Sequence, residues 1–209
     1  IRIFGENGQE LGPNEEGYVV IKLPLPPGTL LDLWKDNERF KAGYLNKFPG
    51  YYFSGDGGFK DNDDYIYITG RVDDVINVAG HRLSTAEMEE IVASHHSVAE
   101  CAVIGINDEL KGQIPLALVV AKSGEDIEHF QLQHEVVHLV REQIGAVASL
   151  RDVVIVQRLP KTRSGKILRK MMRSIADGEQ FQVPSTIDDE AIIDEIREVL
   201  EHAKIGCFK

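Results

Sequence analysis

The 209 residues hold little of what marks a secreted, membrane-spanning or repetitive protein. Two cysteines, Cys101 and Cys207, are too few for a disulfide framework, so a reducing compartment is expected, cytoplasm first and mitochondrial matrix second. No apolar run approaches the roughly 20 residues of a membrane span. The longest, "IPLALVVA", reads as a buried strand. No internal repeat is visible. No signal peptide is visible either; the chain opens at Ile1 rather than methionine, as a fragment or processed piece would, and such a start would hide one. What remains is ordinary globular composition, 43% hydrophobic and 27% charged, enough for one large or two small cores.

The net charge of -11 and the lack of interleaved aromatics argue against a nucleic-acid partner. The charge is unevenly spread. Residues 141–173 carry nine Lys or Arg against two Asp or Glu, while residues 174–209 carry three against nine. A basic island in an acidic chain fits a local site for an anionic ligand, and equally a solvated helix face. A module that binds nucleic acid through 141–173 is the competing reading, and salt-sensitive oligonucleotide binding would favour it.

Residues 1–72 read as strands and turns. "EEGYVVIKLPLPPG" is a short strand ended by prolines, "LDLWKDNERFKAGYL" a surface helix carrying Trp34, and "FKDNDDYIYITGR" two strands around a polar turn. The pattern changes near Asp73. "LSTAEMEEIV" has Ser84 three residues before Glu87, a capping box, followed by Met88, Ile91 and Val92 on one stripe. "VAECAVIGI", "IPLALVVA" and "DVVIVQ" read as strands. "LQHEVVHLVREQI" and "KILRKMMRSIA" read as helices, the latter opening at Lys166. A tail helix from Asp188 should be amphipathic, with Ile192, Ile196, Val199 and Ala203 on one face. This irregular alternation predicts an α+β fold with a boundary between residues 72 and 73.

Four stretches bear on chemistry. His134, Glu135 and His138 in "HEVVH" match the zinc-peptidase pattern, but no third ligand follows at a familiar spacing. The apolar stripe through Leu132, Val136 and Leu139 also turns both histidines toward solvent. "LPKTRSGKILRK" is not a P-loop, since Pro160 and Ile167 occupy its required Gly and Ser/Thr positions. Gly165 still permits a tight turn that would deliver the Lys166 ammonium into a cleft. "GRVDDVINVAGHRLSTAEMEEIV" combines Arg71, Asp73, Asp74, Gly80 and Arg82, and "YYFSGD" sets Asp56 beside glycine, a setting suited to ribose hydroxyls. Taken singly, each has a turn-and-cap explanation.

In this order and spacing, "YYFSGD", "GRVDDVINVAGHRLSTAEMEE" and "LPKTRSGKILRK" resemble the last third of the short-chain acyl-CoA synthetases, the acetyl- and propionyl-CoA branch of the adenylate-forming enzymes. The resemblance implies that residues 1–72 are the distal β-rich end of a large N-terminal domain. It implies that residues 73–209 are a small mobile C-terminal domain, a short sheet flanked by helices, swinging on Asp73. It implies a two-step ligation of a short carboxylate, through an acyl-adenylate, to coenzyme A, with ATP and Mg2+. By the same resemblance, Lys166 serves adenylation and Asp56, Arg71 and Arg82 hold ATP or AMP. Ala79 and Gly80 line the pantetheine path, Arg141 meets the phosphates of coenzyme A, and Ala93, His95 and Val98 match a magnesium site. The family's phosphate loop and acyl pocket fall before Ile1 in that pattern. The isolated chain is therefore expected to lack a complete cycle, and acetate against propionate stays open, with "STIDD" leaning to propionate.

Overall fold

The computed structural model describes residues 1–72, 74–124 and 127–209; the expected hinge residue Asp73 lies outside them. The chain divides into two compact units, Ile1–Asp73 and Asp74–Lys209. The architecture is α+β.

The first unit is an antiparallel sheet in sequential order: β1 (Arg2–Phe4), β2 (Gly17–Lys22), β3 (Tyr51–Lys60) and β4 (Ile66–Arg71). Its core is aromatic. Phe4 lies edge-on to Phe48 at 5.5 Å and to Tyr51 at 4.7 Å, arrangements that suit the ring quadrupole. The surface helix α1 (Asn37–Tyr44) is shorter than its sequence pattern, and exposed Trp34 precedes it. Lys35 takes φ +56°, which no right-handed helix accommodates, and Asp36 caps the helix by accepting the Arg39 N–H.

The second unit is built on strand β8 (Gly112–Ala121), the "IPLALVVA" run. Strand β7 (Val98–Asp108) pairs antiparallel along its whole length. The other edge takes β5 (Val75–Val78) at Gly112, then β9 (Asp152–Ile155) in parallel from Leu116. Strand β6 (His81–Ser84) extends β5.

Helices cover both faces, which is why β8 is apolar without alternation. Leu116 and Leu118 face α4 (Arg169–Asp177) and α5 (Ile192–Ala203) in one core. Ala117 and Val119 face α2 (Thr85–Ala93) and α3 (His129–Gln143) in the other. Ser84 caps α2 by accepting the Glu87 N–H, as its spacing predicts.

Two further expectations are corrected. Helix α4 starts at Arg169, not Lys166, because Ile167 pairs with Lys161 and the Leu168 N–H donates to the Pro160 carbonyl. Helix α5 starts at Ile192, not Asp188, and buries Ile192, Ile196 and Leu200, while Ala203 on the expected apolar face is exposed in its last turn, before Lys204 at φ +54°.

Candidate functional site

In the first unit, strand pairing places Asp56 directly opposite Arg71. The Arg71 guanidinium donates to the Asp56 carboxylate at 3.3 Å and to the Ser54 carbonyl at 3.0 Å. Gly55 makes room for it: a Cβ there would lie 2.5 Å from Arg71 Nη2. The two residues expected at the ribose thus form one oriented pair. A carboxylate held this way keeps acceptor capacity for hydroxyls.

In the second unit, Lys166 closes a tight hairpin. Thr162 donates its N–H to the Lys166 carbonyl at 2.8 Å, and Lys166 donates its N–H back to Thr162 Oγ1 at 3.1 Å. Gly165 takes φ +83° at the bend, a conformation glycine adopts without steric cost. The 160–163 limb is held on its other side by residues 186–188, through Arg163 N–H to Thr186 O and Asp188 N–H to Lys161 O. The Lys166 side chain is exposed on this rigid base.

Two ion pairs invisible in the sequence fix that base to the fold. Lys161 Nζ donates to both oxygens of Glu100 at 2.6 and 2.7 Å. Arg169 makes a bidentate pair with Glu89 at 2.8 and 2.6 Å, and Glu89 also accepts the Val103 N–H at 2.8 Å. Glu89 raises the Arg169 pKa by hydrogen bonding, against desolvation. Cys101 lies nearby, but burial pushes its thiol up to about 11, so it is no nucleophile near neutral pH.

Ala79 and Gly80 form the two-residue turn between β5 and β6, at φ +49° and +88°, with Val78 opposite His81. Two successive positive φ values mark the hairpin turn that matches strand twist. Arg82 follows on β6, exposed and opposite Asn77. The turn is tied to the start of β8, because the Ala79 N–H donates to the Lys111 carbonyl at 2.8 Å. Arg141, near the end of α3, lines a cavity of about 200 Å³ with Ser149 and Arg151. Residue 151 immediately precedes β9, so this cavity shares the Gly112 end of the sheet.

The Lys166 hairpin lies at the other end. Its tie runs to Glu100, which pairs with Val120 near the close of β8. At about 3.3 Å per residue, the ten-residue strand separates the two turns by about 30 Å. The basic island is therefore no continuous stripe. Arg158 is bound to Asp189 and Glu195, Lys161 to Glu100 and Arg169 to Glu89.

His95 is half of a different arrangement. Its Nδ1 accepts the Ser97 N–H at 3.2 Å, which leaves Nε2 to face Glu135 at 2.9 Å. With both ring nitrogens committed, its imidazole does not fit a magnesium ligand, and magnesium prefers oxygen in any case. The Ala93 and Val98 carbonyls are the remaining candidates there. Glu135 is the acidic residue of "HEVVH". Gln131 and His95 hold its pKa below the usual carboxylate range by hydrogen bonding, while His134 and His138 are exposed. Among the described residues, no group of three or more His, Cys, Asp or Glu could hold a metal ion. Among them too, no helix is long and apolar enough to cross a membrane.

Residues 87–166 match the family described as AMP-binding enzyme C-terminal domain. An uncharacterized protein of Pseudomonas aeruginosa is 58% identical over 206 residues, 99% of this chain and 33% of that protein. The mouse (Mus musculus) protein named acyl-CoA synthetase short-chain family member 3, mitochondrial, is 48% identical over 203 residues, 97% of this chain and 30% of that protein. The crystal structure of ATP-bound MatB from Rhodopseudomonas palustris aligns with a TM-score of 0.67 at 26% identity, covering 83% of this chain and 33% of that one. The chain spans about a third of the length of the curated relatives it matches.

Proposed function

We propose that the chain forms the last third of an AMP-forming short-chain carboxylate–CoA ligase, because residues 87–166 match the AMP-binding enzyme C-terminal domain and nearly the whole chain is similar to a protein named as a short-chain acyl-CoA synthetase. The substrate is acetate or propionate. The compartment is the cytosol or the mitochondrial matrix, the mouse relative being named mitochondrial.

In the first step a carboxylate oxygen attacks the α-phosphorus of ATP and pyrophosphate leaves. Two anions must meet, so their repulsion has to be offset where water is excluded. The Lys166 ammonium supplies that charge, beside the magnesium that arrives with the nucleotide. Asp56, aligned by Arg71, accepts the ribose hydroxyls, and Arg82 faces the nucleotide phosphate. In the second step the thiol sulfur of coenzyme A attacks the acyl carbon and AMP leaves. The Ala79–Gly80 turn, with no bulky side chain, lines the path of the pantetheine arm, and Arg141 meets the phosphates at its far end.

One observation carries this reading: the lysine hairpin and the pantetheine turn stand at opposite ends of β8, about 30 Å apart. Both cannot meet one acyl-adenylate in a single orientation. The small unit presents its Lys166 end for adenylation and its Ala79 end for thioester formation, turning between the steps about Asp73.

The test is Lys166→Ala in the complete synthetase. Carboxylate-dependent ATP–pyrophosphate exchange should fall about a hundredfold, equivalent to ~3 kcal/mol in the transition state, while thioester formation from supplied acyl-adenylate persists. Exchange at the wild-type rate would overturn the assignment. The 209-residue chain alone should make no thioester from ATP, coenzyme A and either acid.

A further inference from the structure

The cavity beside Arg141 is lined by a second arginine to which neither step of the ligation assigns a role. That residue is Arg151, two residues beyond Ser149, where the backbone takes φ +52°. A third cation reaches Ser149: Lys111 Nζ donates to its Oγ at 3.0 Å. The carbonyl of that same Lys111 accepts the Ala79 N–H at 2.8 Å. A continuous track therefore runs from the Ala79–Gly80 turn through Lys111 and Ser149 to the two arginines.

These cations differ from the rest of the basic island. Arg158, Lys161 and Arg169 each grip a carboxylate. Among the described residues, Arg141, Arg151 and Lys111 make no ion pair with one. Arg141 and Arg151 line the concavity, and Lys111, whose charge also acts on Asp108, reaches its Ser149 edge; cations gathered in this way favour an anionic ligand there.

We propose that Arg151 and Lys111, together with Arg141, seat the phosphorylated adenosine end of coenzyme A, Arg151 and Lys111 being binding residues in their own right. The proposal rests on the ligase reading and names the phosphate contacts of its second substrate. Coenzyme A is a nucleotide with a 3′-phosphate and a pyrophosphate, joined to a long uncharged arm that ends in a thiol. Two guanidiniums and an ammonium match the charged end, and the track past Lys111 to Ala79 matches the arm. ATP is the poorer occupant: the cavity lies at the Gly112 end of β8, away from Lys166, and ATP has no arm to follow the track.

The experiment compares Arg151→Gln, Lys111→Gln and Arg151→Lys in the complete synthetase. Each Gln variant should raise KM for coenzyme A about tenfold, the usual scale for one charge-assisted hydrogen bond, and leave KM for ATP within twofold. Arg151→Lys should recover part of the loss. With dephospho-coenzyme A, the gap between wild type and at least one Gln variant should shrink, marking the cation that meets the 3′-phosphate. An unchanged KM for coenzyme A in both Gln variants overturns the inference, and so does an equal rise in both KM values, which would signal a general structural defect. Absence of carboxylate-dependent ATP–pyrophosphate exchange in the wild type would instead overturn the ligase reading itself.

Discussion

Replacing Glu89 should destabilise the second unit more than any surface charge would. Its side chain is 16% exposed and that of Arg169 is 27% exposed, so the pair is largely withdrawn from water. Glu89→Ala removes two charge-assisted bonds to Arg169 and the acceptor of the Val103 N–H together. Removing one partner of a fully buried pair costs about 3–5 kcal/mol; discounting for the remaining exposure leaves about 2 kcal/mol. The orphaned Val103 N–H adds about 1 kcal/mol. A total of about 3 kcal/mol corresponds to a fall in Tm of about 10 °C for a unit of this size. Glu89→Gln keeps an acceptor for Val103 and should cost about half as much. The assay is thermal and urea unfolding of both single variants, of Arg169→Ala and of the Glu89→Ala/Arg169→Ala double variant. The cycle should show a coupling of about 2 kcal/mol. A loss below about 0.5 kcal/mol in Glu89→Ala, or strict additivity in the cycle, would refute the reasoning.

Two further outcomes follow from local geometry. Ala79→Asn should raise stability by about 0.5–1 kcal/mol in thermal unfolding, because Asn tolerates the left-handed conformation that Ala79 adopts at φ +49°; an unchanged or lower Tm would contradict the strain assigned there. Asp177 ends α4, and burial pushes its carboxyl pKa above the ordinary value although it accepts the Asn107 N–H. The folded state then binds this proton more tightly than the unfolded one, so the group's contribution is full below the unfolded pKa and is lost as pH rises through the folded one. Asp177→Asn keeps an acceptor for Asn107 and should stabilise the protein at pH 7 but not at pH 3; equal effects at both pH values would contradict this.

Much of the chemistry was legible along the chain. The Gly165–Lys166 bend, the Ser84 cap and the apolar β8 run each depend on residues within a few positions of one another. Helix phase alone turned His134 and His138 outward, and the structure leaves both exposed. Local pattern failed where a distant strand intervened. Lys166 carries a helical signature, yet pairing of Ile167 with Lys161 delays the helix to Arg169. The His95–Glu135 contact joins the turn after α2 to α3 across 40 residues of chain, and no spacing rule points to it.

By itself the sequence determined which residues bear charge, which turns demand glycine and which family's motifs the chain carries, because these follow from side-chain identity and short-range sterics. Tertiary structure alone decided where the turns stand. Hydrogen-bond register puts Val78 beside Gly112 and Glu100 beside Val120, and so sends the two chemical loops to opposite ends of one strand. It also chose among the cations, locking Lys161 and Arg169 onto carboxylates 61 and 80 residues away while leaving Arg141 and Arg151 facing a cavity. Such choices rest on contacts between distant segments, whose partners are selected only when the sheet forms.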